Sequence, residues 1–263
     1  MFGQLCAVLL DLDGVMYRGA RLCNGAREFV EFVRGRGLRP FFLSNNSRAG
    51  ANVVAAKLTQ LGVPVADDEV ITAAELLVEY MGGQRPTSVA LIGSDWLRQQ
   101  FSAQGWEVTG AGAEYLVVGL DHELTYDKLR MGVDALLAGA RFIGANRDPV
   151  NPIEDTLEPG CGCIIAALET ATGRRPLCIG KPSLRILRKA LVRLNLSAGQ
   201  TLMVGDSLVS DMLMARRGGT HSALLLSGQT TPDMVARLPS QRQPDVVAED
   251  LGALLRMWQV NIS

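Results

Sequence analysis

Val8-Leu9-Leu10-Asp11-Leu12-Asp13-Gly14 joins a short apolar run to two carboxylates and a glycine. The run begins at Cys6 and is too short for a helix, and an uninterrupted apolar run of this length is typical of a strand buried on both faces. Strands of that kind occur in parallel sheets that helices cover on both sides. We therefore predict that Cys6–Leu10 is a strand of such a sheet, with Asp11 and Asp13 at its carboxyl end.

Outward from this strand, apolar runs and helical patterns alternate along the chain. Phe29, Val30 and Val33 lie at helical spacing and predict the first helix over Gly25–Arg36. Further helices are predicted over Ala49–Leu61, Ala73–Met81, Trp96–Phe101, Tyr126–Leu137, Cys163–Thr172, Leu184–Leu194, after Ser210, and over Leu251–Trp258. Further strands are predicted over Phe41–Leu43, Val89–Ile92, Tyr115–Gly119, Arg141–Gly144, Leu177–Ile179, Thr201–Val204, Ser222–Leu226 and Val246–Val247. The alternation predicts an α/β fold with a parallel sheet.

Two breaks divide this pattern. The first is Gly82-Gly83-Gln84-Arg85-Pro86, after which the alternation starts afresh, and the second is Gly173-Arg174-Arg175-Pro176. Clusters of glycine and proline are typical of connections between domains. We expect one α/β domain from residues 1–84 and 178–263, interrupted by an inserted α/β cap domain over residues 85–177.

The composition of the 263 residues narrows the classes of function. With 26 basic and 27 acidic residues, the net charge of −1 gives no reason to expect a nucleic acid or an anionic membrane as partner. Five cysteines, an odd number, favour reduced thiols and a cytoplasmic location over a disulfide framework. We also expect no signal peptide and no membrane helix, because the apolar runs are too short.

The sequence favours chemistry based on carboxylates. It has only two histidines, His122 and His221, and it lacks the Gly-x-Ser-x-Gly motif of serine hydrolases. Four apolar runs lead directly into small polar or charged residues, which are Asp11-Leu12-Asp13-Gly14, Ser44-Asn45-Asn46-Ser47, Gly180-Lys181-Pro182-Ser183, and Gly205-Asp206 with Asp211 in the next helix. The carboxyl ends of neighbouring parallel strands form the ligand crevice of an open sheet. If the four strands are neighbours, these groups meet in one site.

Several carboxylates in one crevice repel each other unless a cation compensates their charge. Oxygen ligands without a nearby histidine or thiolate favour Mg²⁺ over zinc. A bound Mg²⁺ and the ammonium of Lys181 together would form a receptor for a phosphoryl group. One carboxylate can then act as a nucleophile, and a second can act as general acid and base.

Each motif also has a simpler explanation when it is taken alone. Asp-x-Asp-Gly is common in turns, and a calcium loop is rejected because Val15 and Leu22 stand where further acidic ligands belong. Asp206 and Asp211 could cap a helix, and Cys161-Gly162-Cys163 fits the small-residue beginning of a helix better than a metal site. All four motifs together, each after a predicted strand, are much harder to obtain by chance.

In this order, the four motifs resemble those of phosphatases of the haloacid dehalogenase (HAD) superfamily. The insert between the second and third motifs resembles the C2-type α/β cap of the NagD and p-nitrophenylphosphatase-like subfamily, in the phrases Val117–Asp121, Ala145–Asp148 and Ala166–Arg174. The resemblance extends over essentially the whole chain. It implies a HAD-like Rossmannoid core with an inserted cap. It also implies a Mg²⁺-dependent phosphatase that acts through an aspartyl-phosphate on small metabolites, such as sugar phosphates, glycerol phosphate, phosphoglycolate or nucleoside monophosphates.

The resemblance also implies a role for each matching residue. Asp11 would be the nucleophile, and Asp13 the general acid and base. The metal ligands would be Asp11, the backbone carbonyl of Asp13, and Asp206. Asp211 would support these ligands without binding the metal itself. Groups from the second and third motifs would bind the phosphoryl oxygens, namely Ser44, Asn45, Asn46 and Lys181. The Lys181 ammonium would also offset the charge of Asp11 during catalysis.

The sequence leaves several alternatives open. The same motifs could serve a phosphotransferase or mutase that passes the phosphoryl group to an acceptor other than water. A third hypothesis is a binding or regulatory protein without catalytic activity. Such a protein would not need all four charged residues Asp11, Asp13, Lys181 and Asp206. Arg18, Asn146 and Arg147 are candidate contacts for the leaving group. A homodimer through the cap is a further expectation from the resemblance.

Overall fold

The computed structural model describes residues 2–110, 112–153 and 156–260. Its strands are β1 (Ala7–Leu10), β2 (Tyr17–Arg18), β3 (Arg21–Leu22), β4 (Arg39–Ser44), β5 (Val70–Thr72), β6 (Ser88–Ile92), β7 (Glu107–Val108), β8 (Tyr115–Val118), β9 (Arg141–Gly144), β10 (Val150–Ile153), β11 (Thr156–Pro159), β12 (Leu177–Cys178), β13 (Thr201–Gly205), β14 (His221–Leu225) and β15 (Val246–Ala248). Its α-helices are α1 (Ala26–Gly35), α2 (Ala51–Gln60), α3 (Ala73–Gln84), α4 (Asp95–Ala103), α5 (Tyr126–Leu137), α6 (Cys161–Thr172), α7 (Leu184–Leu194), α8 (Asp211–Gly218), α9 (Pro232–Ala236) and α10 (Leu251–Val260). This alternation confirms the predicted α/β class.

Six of the described strands form the main sheet, in the order β15-β14-β13-β1-β4-β5. All neighbouring pairs are parallel. Leu10, at the end of the central strand β1, lies opposite Val204 of β13 and Phe42 of β4. The residues that follow these three strands therefore meet at one edge of the sheet, which is where Asp11 and Asp206 lie.

Five further strands form a second parallel sheet, in the order β12-β9-β8-β6-β7. Two antiparallel hairpins accompany the sheets, β2 with β3 next to the first motif and β10 with β11 in the inserted segment. The second sheet takes its strands from residues 88–178. The domain ranges 1–84 with 178–263 and 85–177 stay a prediction.

The strand before the third motif is not a neighbour of the other three motif strands. The run Leu177–Ile179 contains β12, which pairs with β9 of the second sheet, with Leu177 opposite Ile143. The reason is that backbone pairing continues past the Gly-Arg-Arg-Pro break. The N–H of Gly180 donates to the carbonyl of Ala145 at 2.7 Å. The third motif thus reaches the site from the second sheet.

The core lies on both faces of the main sheet because successive side chains of a strand point to opposite sides. Leu9 belongs to one cluster of buried residues, and Val8 and Leu10 belong to the other. The cluster that contains Leu9 continues into the second sheet through residues such as Val89 and Leu116. The two sheets therefore share one apolar core.

Helix α1 shows how a helix covers the other face. The predicted apolar face of Phe29, Val30 and Val33 is buried, and Phe29 packs against Trp258 of α10 with 6.0 Å between ring centroids. Several short elements escaped prediction, because most of them mix polar and apolar residues and so form neither an apolar run nor a periodic pattern. They are β2, β3, β5, β7, β10, β11 and helix α9. No helix in the described ranges is long and apolar enough to cross a membrane.

Two glycines with left-handed backbone allow a test of the packing between α1 and α10. Gly25 (φ 75°) precedes α1, and a Cβ there would lie 2.3 Å from the backbone nitrogen of Gly252. Gly37 (φ 72°) has nothing within 4 Å of the same position. We expect Gly37→Ala to lower the free energy of unfolding by about 1–2 kcal/mol, the cost of left-handed backbone. Gly25→Ala should cost about 1–3 kcal/mol more, because of overpacking.

Urea denaturation of both variants measures this difference. Gly37→Ala is the matched control, since it has the same backbone strain without the steric contact. Equal losses of stability in the two variants would contradict the close approach of the helices.

Candidate active site

A cavity of about 240 Å³ lies at the carboxyl edge of the main sheet. Its lining combines the motif residues with side chains of the inserted segment, and includes Asp11, Asp13, Asn45, Asn46, Lys57, His122, Asn146, Asp148, Glu158, Lys181 and Asp206. The expected convergence of the four motifs is therefore present, with the third motif contributed from the second sheet.

A buried ammonium connects two of the carboxylates. Lys181 Nζ lies 2.5 Å from Asp11 Oδ1 and 2.7 Å from Asp211 Oδ1, and only 2% of the lysine side chain is exposed. Burial alone would lower the pKa of Lys181, but the charges of Asp11 and Asp211 raise it above its ordinary value. Lys181 is therefore a permanent positive charge beside Asp11.

Asp11 and Asp206 hold their protons more tightly than ordinary aspartates. Burial, followed by the charge of Asp211, raises the pKa of Asp11 well above 3.8, although Lys181 works in the opposite direction. The same two causes raise the pKa of Asp206 to about 7. The site thus has an excess of negative charge when both groups are ionised.

Oxygen atoms of Asp11, Asp206 and Asp211 lie within 4.8 Å of one another. This donor set is made of carboxylates, which are the ligands of hard cations such as Mg²⁺. The set fits a divalent cation because Lys181 supplies only one positive charge against three carboxylates. Asp211 has a second task, since its Oδ2 accepts a hydrogen bond from the N–H of Ser207 at 3.2 Å.

Glycines bring the backbone close to Asp206. Its Oδ2 accepts the N–H of Gln229 at 3.1 Å, and its carbonyl accepts the hydroxyl of Thr230 at 2.6 Å. A Cβ at Gly228 would lie 1.6 Å from Asp206 Oδ2, and one at Gly14 would lie 2.5 Å from it. Asp206 is therefore held in one orientation by groups that only glycine backbone can bring so near.

Asp13 lines the cavity but does not belong to the cluster of carboxylate oxygens, which Asp11, Asp206 and Asp211 form. Burial raises its pKa above 3.8, and the charges of Lys57 and Lys181 oppose this shift. Lys57 Nζ lies over the ring of Tyr17, 3.6 Å from its centroid. A carboxyl group with a raised pKa keeps its proton to a higher pH than usual, which suits a general acid.

The second motif is tied to its surroundings by hydrogen bonds. Ser44 is fully buried, and its Oγ accepts the N–H of Asn46 at 3.0 Å, which leaves the hydroxyl hydrogen free to donate. Asn46 Oδ1 accepts the N–H groups of Arg48 and Ala49 shortly before α2 begins. Asn45 Oδ1 accepts the N–H of Lys181 at 2.8 Å. The substrate-binding roles of Ser44, Asn45 and Asn46 stay predictions.

The three candidate leaving-group contacts have protein partners. Arg147 pairs with Glu169 at 2.6 Å, and Arg18 donates to the carbonyl of Ser227. Asn146 lines the cavity, but its amide donates to the carbonyl of Asn45 at 2.7 Å. Of these three, Asn146 alone belongs to the described lining of the cavity.

Sequence reasoning missed several cavity residues. Lys57 and Glu158 belong to no motif, yet both line the cavity. His122 lies in an exposed turn, and it also lines the cavity, 3.3 Å from Glu158. Asp148 belongs to the cap phrase Ala145–Asp148 and to none of the four motifs. Its position could have indicated a functional role, because Asp148 lies shortly after the end of the strand Arg141–Gly144. The four motifs also lie shortly after the ends of strands.

Two family models of hydrolases match this chain. A family model described as haloacid dehalogenase-like hydrolase matches residues 8–107, and one described as HAD-hydrolase-like matches residues 178–254. The 5'-nucleotidase YutF of Bacillus subtilis is 35% identical over 223 residues, which are 84% of this chain and 87% of the relative. The chain belongs to the haloacid dehalogenase superfamily.

Solved structures agree with this assignment. A 4-nitrophenylphosphatase from Thermotoga maritima has a TM-score of 0.87 and 32% identity, covering 96% of this chain and 97% of its own. A glycerol phosphate phosphatase from Mycobacterium tuberculosis, in complex with magnesium, has a TM-score of 0.85 and 31% identity, covering 95% of this chain and 76% of its own. The resemblance to the NagD and p-nitrophenylphosphatase-like subfamily is confirmed. This HAD protein is a phosphatase, a phosphoric monoester hydrolase.

The raised pKa of Asp206 predicts how stability depends on pH in the absence of metal. The pKa is about 7 in the folded protein against an ordinary value of 3.8, so the folded state keeps a proton that the unfolded chain loses between these values. Stability therefore falls as pH rises from about 4 to about 7. From pH 5 to pH 7, the free energy of unfolding of the natural protein should fall by about 2 kcal/mol more than that of Asp206→Asn, because the variant lacks the titrating group.

Urea unfolding at both pH values, with a chelator present, measures this effect. Asp68→Asn, which alters an exposed aspartate, is the control and should keep the natural pH dependence. The same pH dependence in Asp206→Asn as in the natural protein would refute the raised pKa.

Proposed function

We propose that this phosphatase hydrolyses small phosphorylated metabolites with Mg²⁺, through an aspartyl-phosphate on Asp11. The observation that carries the proposal is the contact of 2.5 Å between Asp11 and the buried ammonium of Lys181, in the wall of a cavity that three further aspartates line. A nucleophilic carboxylate must approach a phosphoryl group that is itself an anion. Lys181 lowers the electrostatic cost of that approach.

Asp11, Asp206 and the backbone carbonyl of Asp13 are the residues we assign to Mg²⁺, and Asp211 supports them. Three carboxylates with a single ammonium fit a divalent cation, and the mycobacterial glycerol phosphate phosphatase was solved in complex with magnesium. When bound, the ion supplies positive charge that stabilises the transferring phosphoryl group.

The chemistry of the chain's own residues then follows in two steps. Asp11 attacks phosphorus and forms an acyl phosphate while the bond from phosphorus to the ester oxygen breaks, and Asp13 donates its proton to the departing oxygen. Water next attacks the phosphorus of the acyl phosphate, and Asp13 takes the proton from that water. Inorganic phosphate leaves, and Asp11 is restored. Asp11 Oδ1 accepts both the Leu12 N–H at 2.7 Å and the Lys181 ammonium, so the carboxylate is fixed for attack.

The size and lining of the cavity support a small substrate. The volume of about 240 Å³ suits the phosphoryl group and leaving group of a small metabolite rather than a macromolecule. His122 and Glu158 of the inserted segment lie in the same cavity and offer polar contacts to such a leaving group. Relatives named as a 5'-nucleotidase and a glycerol phosphate phosphatase support phosphomonoesters of this class. Sugar phosphates, glycerol phosphate, phosphoglycolate and nucleoside monophosphates form the panel to be tested.

The cellular setting is part of the proposal. Five cysteines without a disulfide support a reducing compartment, and we propose the cytoplasm. A homodimer through the cap stays a prediction.

The nucleophile is tested by Asp11→Asn. We expect phosphate release from p-nitrophenyl phosphate to require Mg²⁺ and to fall more than about 1000-fold in this variant, because the amide cannot form the intermediate. Asp68→Asn, with the same chemical change at an exposed position, should retain full activity. Release should continue in buffer without any added acceptor alcohol. Activity that survives in Asp11→Asn would remove Asp11 as nucleophile, and release that depends on an acceptor would indicate a phosphotransferase.

A further inference from the structure

We propose that Asp148, a residue of the inserted segment outside the four motifs, is a positioning residue that holds Asn45 and through it the catalytic Lys181. The inference concerns the phosphatase reaction of this chain and goes beyond the roles assigned to the motif residues.

The side-chain amide of Asn45 is fully occupied by two partners. Its Nδ2 donates to Asp148 Oδ2 at 2.8 Å and to the carbonyl of Lys181 at 3.2 Å, and its Oδ1 accepts the N–H of Lys181 at 2.8 Å. A Cβ at Gly180 would lie 2.6 Å from Asn45 Oδ1, so only glycine allows the amide so close to this backbone. Asn45 thus connects Asp148 directly to the backbone of Lys181.

Asp148 itself is fixed by its own segment. Its N–H donates to Asn146 Oδ1 at 3.0 Å, and the amide of Asn146 donates to the carbonyl of Asn45. On the other side, the N–H of Gly162 donates to the carbonyl of Asp148 at 2.9 Å. A Cβ at Gly162 would lie 2.8 Å from the same oxygen. Gly162, a small residue at the beginning of α6, therefore allows this helix to approach the backbone of Asp148.

The partly buried position of Asp148 indicates a task other than stabilising the fold. Loss of contact with water raises the pKa of Asp148 to about 6, although the hydrogen bond from Asn45 and the charge of Lys181 oppose this shift. Among the described residues, no basic side chain forms an ion pair with Asp148. A carboxylate that is partly withdrawn from water without a cation costs stability. A neutral side chain of similar size would pack equally well, so the acceptor for Asn45 is what this position contributes.

The consequence for catalysis lies in the placement of one ammonium. Lys181 Nζ must lie between Asp11 and Asp211, and the Lys181 backbone is held at both its N–H and its carbonyl by Asn45. A displacement of about 1 Å in a positioned group costs about 100-fold in rate. Asp148 therefore acts on kcat through Lys181 and does not need to contact the substrate.

Steady-state kinetics with p-nitrophenyl phosphate and Mg²⁺ test this role. We expect Asp148→Ala to lower kcat about 10- to 100-fold with KM changed less than about threefold, because transition-state stabilisation is lost and binding is kept. Asp148→Asn should recover most of kcat, because its amide oxygen still accepts from Asn45. Glu169→Ala is the matched control in the same segment, and should leave kcat unchanged because Glu169 pairs with Arg147 outside the cavity lining.

A double-mutant cycle separates positioning from a general loss of structure. In the Asn45→Ala background, Asp148→Ala should lower kcat no further, since the two residues act as one unit. Asp148→Ser, whose hydroxyl is too short to reach Asn45, replaces Asp148→Ala if the latter does not fold.

Three results would overturn the inference. They are additive effects in the cycle, a rise in KM at unchanged kcat, which would make Asp148 a leaving-group contact, and an Asp148→Asn variant as impaired as Asp148→Ala. Absence of activity in the natural protein would instead count against the proposed function.

Discussion

The buried contact of Lys181 with Asp11 and Asp211 is the interaction on which the rest of this structure depends. Charges removed from water are costly, and such a group persists only when its partners are held in position. Here three separate elements provide them: Asp11 follows β1, Asp211 begins α8, and Lys181 follows β12 of the second sheet. The parallel topology brings their ends together, and the same geometry creates the acidic cluster that fits a divalent cation.

The second sheet therefore contributes directly to the site. It includes the strand that leads into Lys181, its side chains share an apolar core with the main sheet, and the residues after its strand β9 present Asp148 to Asn45. An enzyme built in this way places one catalytic charge by hydrogen bonds that cross between two sheets. Residues that no motif includes can then influence the reaction through the position of the motif residues.

Much of this arrangement could be predicted from the sequence, and the exceptions have physical reasons. Long periodic helices such as Tyr126–Leu137 and fully apolar strands such as Ala7–Leu10 carry a strong local signal, so their positions agree with the predictions. The pairing partner of Leu177–Cys178 carries no local signal, because two residues of strand fit either sheet. Backbone pairing with Gly144 continues beyond the glycine and proline break before this strand, and such pairing over distant residues leaves no trace in the local sequence.

The same distinction separates the motif residues from Asp148. A charged residue directly after an apolar run is visible in the sequence, whereas a hydrogen bond between Asp148 and Asn45 joins residues 103 positions apart. Such a contact depends on tertiary packing, and no spacing rule contains it. The glycines at 160 and 162 show this dependence, since their role appears only when α6 lies against the backbone of Asp148.

Acid quenching of a single turnover tests the central claim, that Asp11 beside Lys181 is the nucleophile. The enzyme would be mixed with Mg²⁺ and a phosphomonoester labelled in its phosphoryl group, quenched at millisecond times and digested for peptide mapping. The account predicts a transient label on the peptide that contains Asp11, which disappears as phosphate is released. Phosphate release without label on that peptide at any time would contradict it.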